Sequence, residues 1–214
     1  MNRRHPPGWD DFTTHLRRLY VEEKSRHRSI LGVHELDPSF ARPATDGEVI
    51  RALGYEGYES ITWPKAEGDD HGHQDQSTDG GELFVVRGVD GEHRTIVTVQ
   101  RKPGRDNVQD AVGIAVFLHE IGHVDDFEKK RFLVPGRSPD FVDVELYAHR
   151  FACKRMIAGN FRFSLGQYLS LIEKQHLPST DRVVRTAAER FVASGEFRNA
   201  VQFAGDCYRY TKEV

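Results

Sequence analysis

The sequence predicts an α+β protein, mostly helical, with a small antiparallel β-sheet packed beside one buried helix. Three observations predict it. Helical spacing and capping residues recur over most of the 214 residues. Two β-branched segments stand close together around Asp90-Gly91. A long apolar run from Ala111 to Leu118 leads directly into the polar sequence His119-Glu120-Ile121-Gly122-His123.

Composition sets the bounds. Hydrophobic residues make up 38% and charged residues 29%, polar for a globular chain but enough for one core. A net charge of −3 gives no basis for direct nucleic-acid binding by the chain as a whole. No run of the sequence is apolar and long enough to suggest a membrane span. Met1 to Pro7 lacks the apolar stretch of a secretion signal, so a cytoplasmic location is expected. Cys153 and Cys207 make no disulfide framework, and no C-x-x-C pair competes for a metal.

The elements follow in order. Residues from about Gly8 to Leu31 are expected to form an amphipathic helix, because Phe12, Leu16, Leu19 and Tyr20 share one face. Its Arg and Lys residues read as a solvated face. A short helix is expected from Asp46 to Leu53, stopped at Gly54. Together these fill an N-terminal helical segment, 1–64. Residues 65–82 form an acidic loop, rich in Asp, Gly, His and Ser; it is a candidate lid over a cleft, and its His71 and His73 read as solvated. Leu83–Arg87 and Thr95–Val99 are expected to pair as an antiparallel hairpin, with one strand available to an extended peptide.

The chemistry begins on the next helix, expected from Asp106 to Glu128 with Asp106 and Gln109 as a capping box. Positions i and i+4 lie on one helical face, so His119 and His123 can grip one Zn²⁺ from the same side. Glu120 then stands near the metal's open position, where a carboxylate can act as general base toward water. The helix is apolar on nearly every side, and buried His, Glu and His need partners that a metal supplies. A third protein ligand must come from elsewhere. A second helix is expected with Ser138 as N-cap, Pro139 at its first position and Gly159 at its end. Glu145 lies among its apolar residues and is read as an inward-facing carboxylate. His149, four residues on, shares its face.

These residues resemble the ImmA/IrrE metallopeptidases. The resemblance rests on H-E-I-G-H followed some twenty residues later by E-x-x-A-x-x-F-A, here Glu145, Ala148, Phe151 and Ala152, and covers roughly Glu82 to Ile157. It implies zinc held by His119, His123 and Glu145, Glu120 as catalytic base, and a zincin-like metallopeptidase core over 83–158. It further implies peptide-bond hydrolysis in a specific protein substrate, such as a repressor or other transcriptional regulator. The chain departs from the pattern at His149, where many relatives carry Asn or Asp. His149 is open to three roles: third ligand in place of Glu145, hydrogen-bond partner of a ligand, or transition-state donor. Tyr147 is a second donor candidate, and Asp125 and Asp126 are candidates to orient a ligand imidazole. No helix-turn-helix or sensor segment, carried by some relatives, is found. Two other functions fit the same residues: a non-catalytic, zinc-stabilised partner-binding protein, or a toxin or effector protease.

The remaining residues, 159–214, are expected to be helical. Ser164 with Gln167 opens a helix through Glu173, Ser179 or Thr180 opens the next to Ala193, and Ser194 opens a last one through Tyr210. Their aromatics, Tyr168 and Phe191 among them, read as packing residues.

Overall fold

The computed structural model describes residues 12–36, 45–61, 80–100 and 107–213. The expected acidic loop therefore falls almost wholly outside the described residues, with His71 and His73, and so does the Asp106 cap. The described elements are α1 (Phe12–Arg26), β1 (Ile30–Leu36), α2 (Asp46–Ala52), β2 (Glu59–Ser60), β3 (Gly81–Arg87) and β4 (His93–Gln100). There follow α3 (Asn107–Lys129), α4 (Phe141–Ala158), α5 (Arg162–Leu171), a π-helical turn (Ile172–His176), α6 (Arg182–Val192), α7 (Gly195–Ala204) and α8 (Asp206–Glu213). The fold is α+β, helical for the most part, with one four-stranded sheet.

The sheet runs in the order β1-β4-β3-β2. β3 and β4 form the expected hairpin, with Gly81 opposite Val99 and Arg87 opposite His93. Its connection closes with the Gly91 N–H on the Gly88 carbonyl at 2.9 Å, and Gly91 takes φ 78°, a conformation that suits glycine. The sheet is not purely antiparallel, however. β1 pairs with β4 in parallel, from Ile30 beside Thr95 to Leu36 beside Gln100. This corrects the expected single helix to Leu31: α1 ends at Arg26, and the chain turns straight into a strand. The cause is non-local. Ile30 gains its place from a strand more than sixty positions away, which no local periodicity reports. Because β4 has neighbours on both edges, it cannot pair with a peptide; the outer edge of β3 meets β2 at Val86 and Arg87.

Both faces of the sheet are covered. On one, Val97, Val99 and Ile30 join α1 and α3 in the main core. On the other, Phe84, Val86 and Ile96 pack on Val49 and Ile50 of α2. That is why β4 is buried without interruption from Thr95 to Val99 instead of alternating. α2 opens on a complete capping box between Thr45 and Glu48.

α3 is the central helix. Ala111, Ile114, Ala115, Val116, Phe117, Leu118, Ile121 and Val124 are all buried, which requires neighbours on every side. α4 packs along it, and α5 lies behind. One cluster of buried residues runs from Leu16 of α1 to Tyr208 of α8, so the C-terminal helices share the core of α3 and α4. Their limits differ in detail from the sequence expectation. Asp140, not Ser138, caps α4; its Oδ1 accepts from the N–H groups of Val142 and Asp143 at 3.0 and 3.4 Å. Ser164 lies buried inside α5, which starts two residues earlier. Asp181 caps α6 through Val183 N and Val184 N. Ser194 caps α7 as expected, but Gly205 at φ 54° divides the last stretch into α7 and α8. Both cysteines are free and buried, and burial pushes each thiol up from its ordinary range. None of the described helices is long and apolar enough to cross a membrane.

Candidate metal centre

The site forms where α3 and α4 touch. Gly122, inside the H-E-I-G-H sequence, makes the approach possible. A Cβ there would stand 2.8 Å from the Ala148 Cα, a backbone atom of α4. With no side chain between them, the two helices close, and Glu145, one turn before His149, comes over the two histidines.

His119 Nε2 and His123 Nε2 are 3.2 Å apart. Glu145 Oε2 lies 3.2 Å from His119 Nε2, and its Oε1 lies 3.5 Å from His123 Nε2. Two ligand atoms held about 2.0–2.1 Å from a tetrahedral zinc stand about 3.3 Å apart. The three spacings match the edges of that tetrahedron, and the residues form a group able to hold a metal ion. Two imidazoles and a carboxylate are also the donor set that a divalent ion of the zinc type takes.

Electrostatics set the protonation that a metal needs. Burial drives the His123 pKa down to about 4 against the pull of Glu145, with His119 adding to the drop. His123 is therefore neutral at pH 7. Burial alone would raise Glu145, but His123 and His119 outweigh it and hold the carboxyl well below the usual range. Glu145 is the most open of the three, with 27% of its side-chain surface exposed against 7% and 10% for the histidines.

Glu120 is 6% exposed and reaches toward the start of β3. A Cβ on Gly81 would stand 2.8 Å from its Oε1 and 2.5 Å from Val116 Cγ1. The first residue of the strand must therefore be glycine for the sheet to lie this close to the helix.

His149 is fully buried. It is outside the three-residue ligand group and hydrogen-bonds through Nδ1 to the Tyr168 hydroxyl at 2.7 Å. Its ring lies 4.9 Å from that of His119, 5.3 Å from His176 of the π turn, and stacks on Phe191 of α6 at 5.5 Å. Burial, then the neighbouring His119 and His176, push its pKa well below the ordinary value. The other candidates bond elsewhere. Tyr147 gives its hydroxyl to Asp125 Oδ2 at 2.5 Å, and burial with that carboxylate pushes its pKa up to about 12. Asp125 also pairs with Lys129 at 2.7 Å. Asp126 accepts the N–H groups of Phe132 and Leu133 at 2.9 and 3.0 Å, tying the α3 terminus to the following loop. Neither aspartate orients an imidazole.

The residue that does is Tyr168, which the sequence suggested only as packing. Its hydroxyl lies 2.7 Å from His119 Nδ1, the ring nitrogen turned away from Glu145. The one signal in the sequence was general: a tyrosine in a buried segment needs a partner for its hydroxyl. Nothing in the sequence says which partner, 49 positions away. No protein-family model, no curated protein and no solved structure matches the chain.

Proposed function

We propose that this chain is a zinc-dependent metalloendopeptidase with a zincin-like core, acting on a specific protein substrate such as a transcriptional regulator. The observation that carries the reading is the meeting of His119 Nε2, His123 Nε2 and the Glu145 carboxylate at tetrahedral spacing, with Glu120 on the same helix as the two histidines. A fold-stabilising metal would have no use for Glu120, which is kept 6% exposed beside the ligand pair.

His119, His123 and Glu145 would hold the ion, and Glu120 would serve the reaction. A divalent zinc in such a site supplies Lewis acidity toward a carbonyl and lowers the pKa of water toward about 7. Glu120 takes the proton of the attacking water and delivers it to the leaving amine. The absence of a side chain at Gly81 leaves the Glu120 carboxylate room beside the first residue of β3.

The test separates metal from catalysis. Elemental analysis should find about one zinc per chain in the wild type and in Glu120→Gln, and a loss of metal in Glu145→Ala. In cells expressing the wild type, terminal-peptide profiling should show new N-termini that vanish with Glu120→Gln, since removing a general base costs about 10²–10⁴ in rate. Identical N-termini in the two would leave a metal-stabilised binding protein instead. Absence of zinc from the wild type after reconstitution would remove the metal reading altogether.

A further inference from the structure

We propose that Tyr168 is the positioning residue of this centre, and that its hydroxyl holds His119 and His149 in opposite tautomers. The inference rests on the metal-centre reading for its consequence, but on the hydrogen bonds for its substance.

One phenolic oxygen lies 2.7 Å from His119 Nδ1 and 2.7 Å from His149 Nδ1. A phenol has one proton to give and lone pairs with which to accept. It donates to one imidazole and accepts an N–H from the other. The choice is set at the far side of His119, whose Nε2 faces Glu145 Oε2 and His123 Nε2, both at 3.2 Å. An Nε2 that ligates a metal carries no proton, so the His119 proton sits on Nδ1 and is donated to Tyr168. Tyr168 then gives its own proton to His149 Nδ1. His149 is left with its proton on Nε2, a buried atom with no hydrogen-bond partner. An imidazole ligand whose other N–H is held by an acceptor keeps its ring angle and gains basicity. Tyr168 performs that service for His119 from α5, and His149 holds Tyr168 from α4. His149 thus acts on the metal ligand through Tyr168 and does not touch substrate, being 0% exposed.

The surroundings fix the triad in place. Tyr168 is 2% exposed, and a Cβ on Gly166, two residues earlier, would stand 2.9 Å from the Cys207 carbonyl carbon. α5 is clamped between α3 and α8, so the hydroxyl has little freedom to turn elsewhere.

The experiment uses the full chain, zinc-loaded, with ¹⁵N-labelled histidine and two-bond ¹H–¹⁵N correlation spectra. The wild type should show His119 protonated at Nδ1 and His149 at Nε2. A His149 proton on Nδ1 in the loaded protein would overturn the proposal, and this reading needs no variant to fold. Tyr168→Phe removes only the hydroxyl. Chelator competition should then find zinc held about 10–100-fold more weakly, with the His149 tautomer no longer fixed. Unchanged affinity and unchanged His149 signals in Tyr168→Phe would also overturn it. If the wild type takes up no zinc, the metal reading fails by itself, and the opposite tautomers of His119 and His149 are read in the same spectra of the metal-free protein; two like tautomers there would sink the inference.

Discussion

At Gly122 a single hydrogen atom decides whether the centre assembles. Every other residue of H-E-I-G-H bears a side chain that the site or the core uses, while Gly122 is used for having none. A Cβ would meet the Ala148 Cα at 2.8 Å, and that backbone cannot rotate out of the way as a side-chain tip would. Gly122→Ala should therefore push α4 off α3. The expected cost is about 1–3 kcal/mol of stability from overpacking. The more specific effect is on the ligands, because Glu145 rides on the displaced helix. Zinc affinity should fall further than that of a surface Gly→Ala control such as Gly57→Ala, where a Cβ meets nothing within 4 Å. Calorimetry and chelator competition on both variants check this; equal zinc affinities would mean that the approach of the helices does not set the ligand geometry. Gly81→Ala makes a second case. Its Cβ would press on Val116 and Glu120, so it should reduce hydrolysis while leaving bound zinc in place, since neither contact is a metal ligand.

At the scale of elements, α4 must present Glu145 at a fixed height along α3, and its start is set by Asp140. The Asp140 carboxylate satisfies two backbone N–H groups that the helix cannot pair internally, those of Val142 and Asp143. Asp140→Ala should cost about 1 kcal/mol and lower Tm by about 2–4 °C in a chain of this size. A scan that shows no change would place the control of α4 in its packing alone. The same helix shows what a sequence can and cannot tell. His119, Glu120 and His123 were legible because four-residue spacing on a helix is a local fact, and the helix itself was legible from its apolar run. Glu145 was legible as an inward carboxylate, and as a candidate ligand only through resemblance. Tyr168, His176 and Phe191, which enclose His149, were not legible as its neighbours. Tyr168 and Phe191 look like packing in their own helices, His176 falls between two predicted helices, and only the arrangement of α5, the π turn and α6 against α4 brings them together. β1 was lost for a related reason. Its seven residues carry no clean alternation, and the partner that makes them a strand is the distant β4. The caps moved by one or two residues wherever an aspartate stood near the predicted serine or threonine, as at Asp140 and Asp181. A carboxylate that accepts two N–H groups outcompetes a hydroxyl that accepts one.

Across the whole molecule, α1, α3, α4 and the entry to β1 are joined by one ionic cluster around the buried Glu23 and His27. Glu23 of α1, 1% exposed, accepts from Arg26 at 2.8 Å and from Arg155 of α4. His27 stands between Glu23 Oε2 at 3.5 Å and Glu128 Oε2 of α3 at 2.9 Å, and the Ser29 N–H, at the entry to β1, bonds Glu128 Oε1 at 2.8 Å. Burial opposes a charged His27, but the hydrogen bonds to Glu23 and Glu128 outweigh it and raise its pKa. Burial likewise opposes the two carboxylates, and their partners outweigh it: His27 and then Arg155 for Glu23, the Ser29 N–H and then His27 for Glu128, so both pKa values are lowered. The signs follow from linkage. A raised histidine contributes stability that is complete below about pH 6.5, its unfolded value, and is lost as pH rises through the folded value. Lowered carboxylates contribute stability that is complete above about pH 4.5 and is lost as pH falls through their folded values. The cluster is therefore worth most between those limits and weakens on both sides. Metal-free wild-type protein should lose thermal stability as pH rises above about 6.5 and through the raised His27 value, by a margin that His27→Gln does not show, because a glutamine amide carries no charge to lose. As pH falls below about 4.5 both proteins should lose stability while Glu23 and Glu128 take up protons, the wild type by more, because His27 is among the partners that lower both carboxylates. Melting curves across that range decide it: wild-type and variant Tm values that stay parallel in the alkaline half would mean that the charge on His27 does not tie α1 to α3, and that the carboxylates and Arg155 hold the helices by themselves.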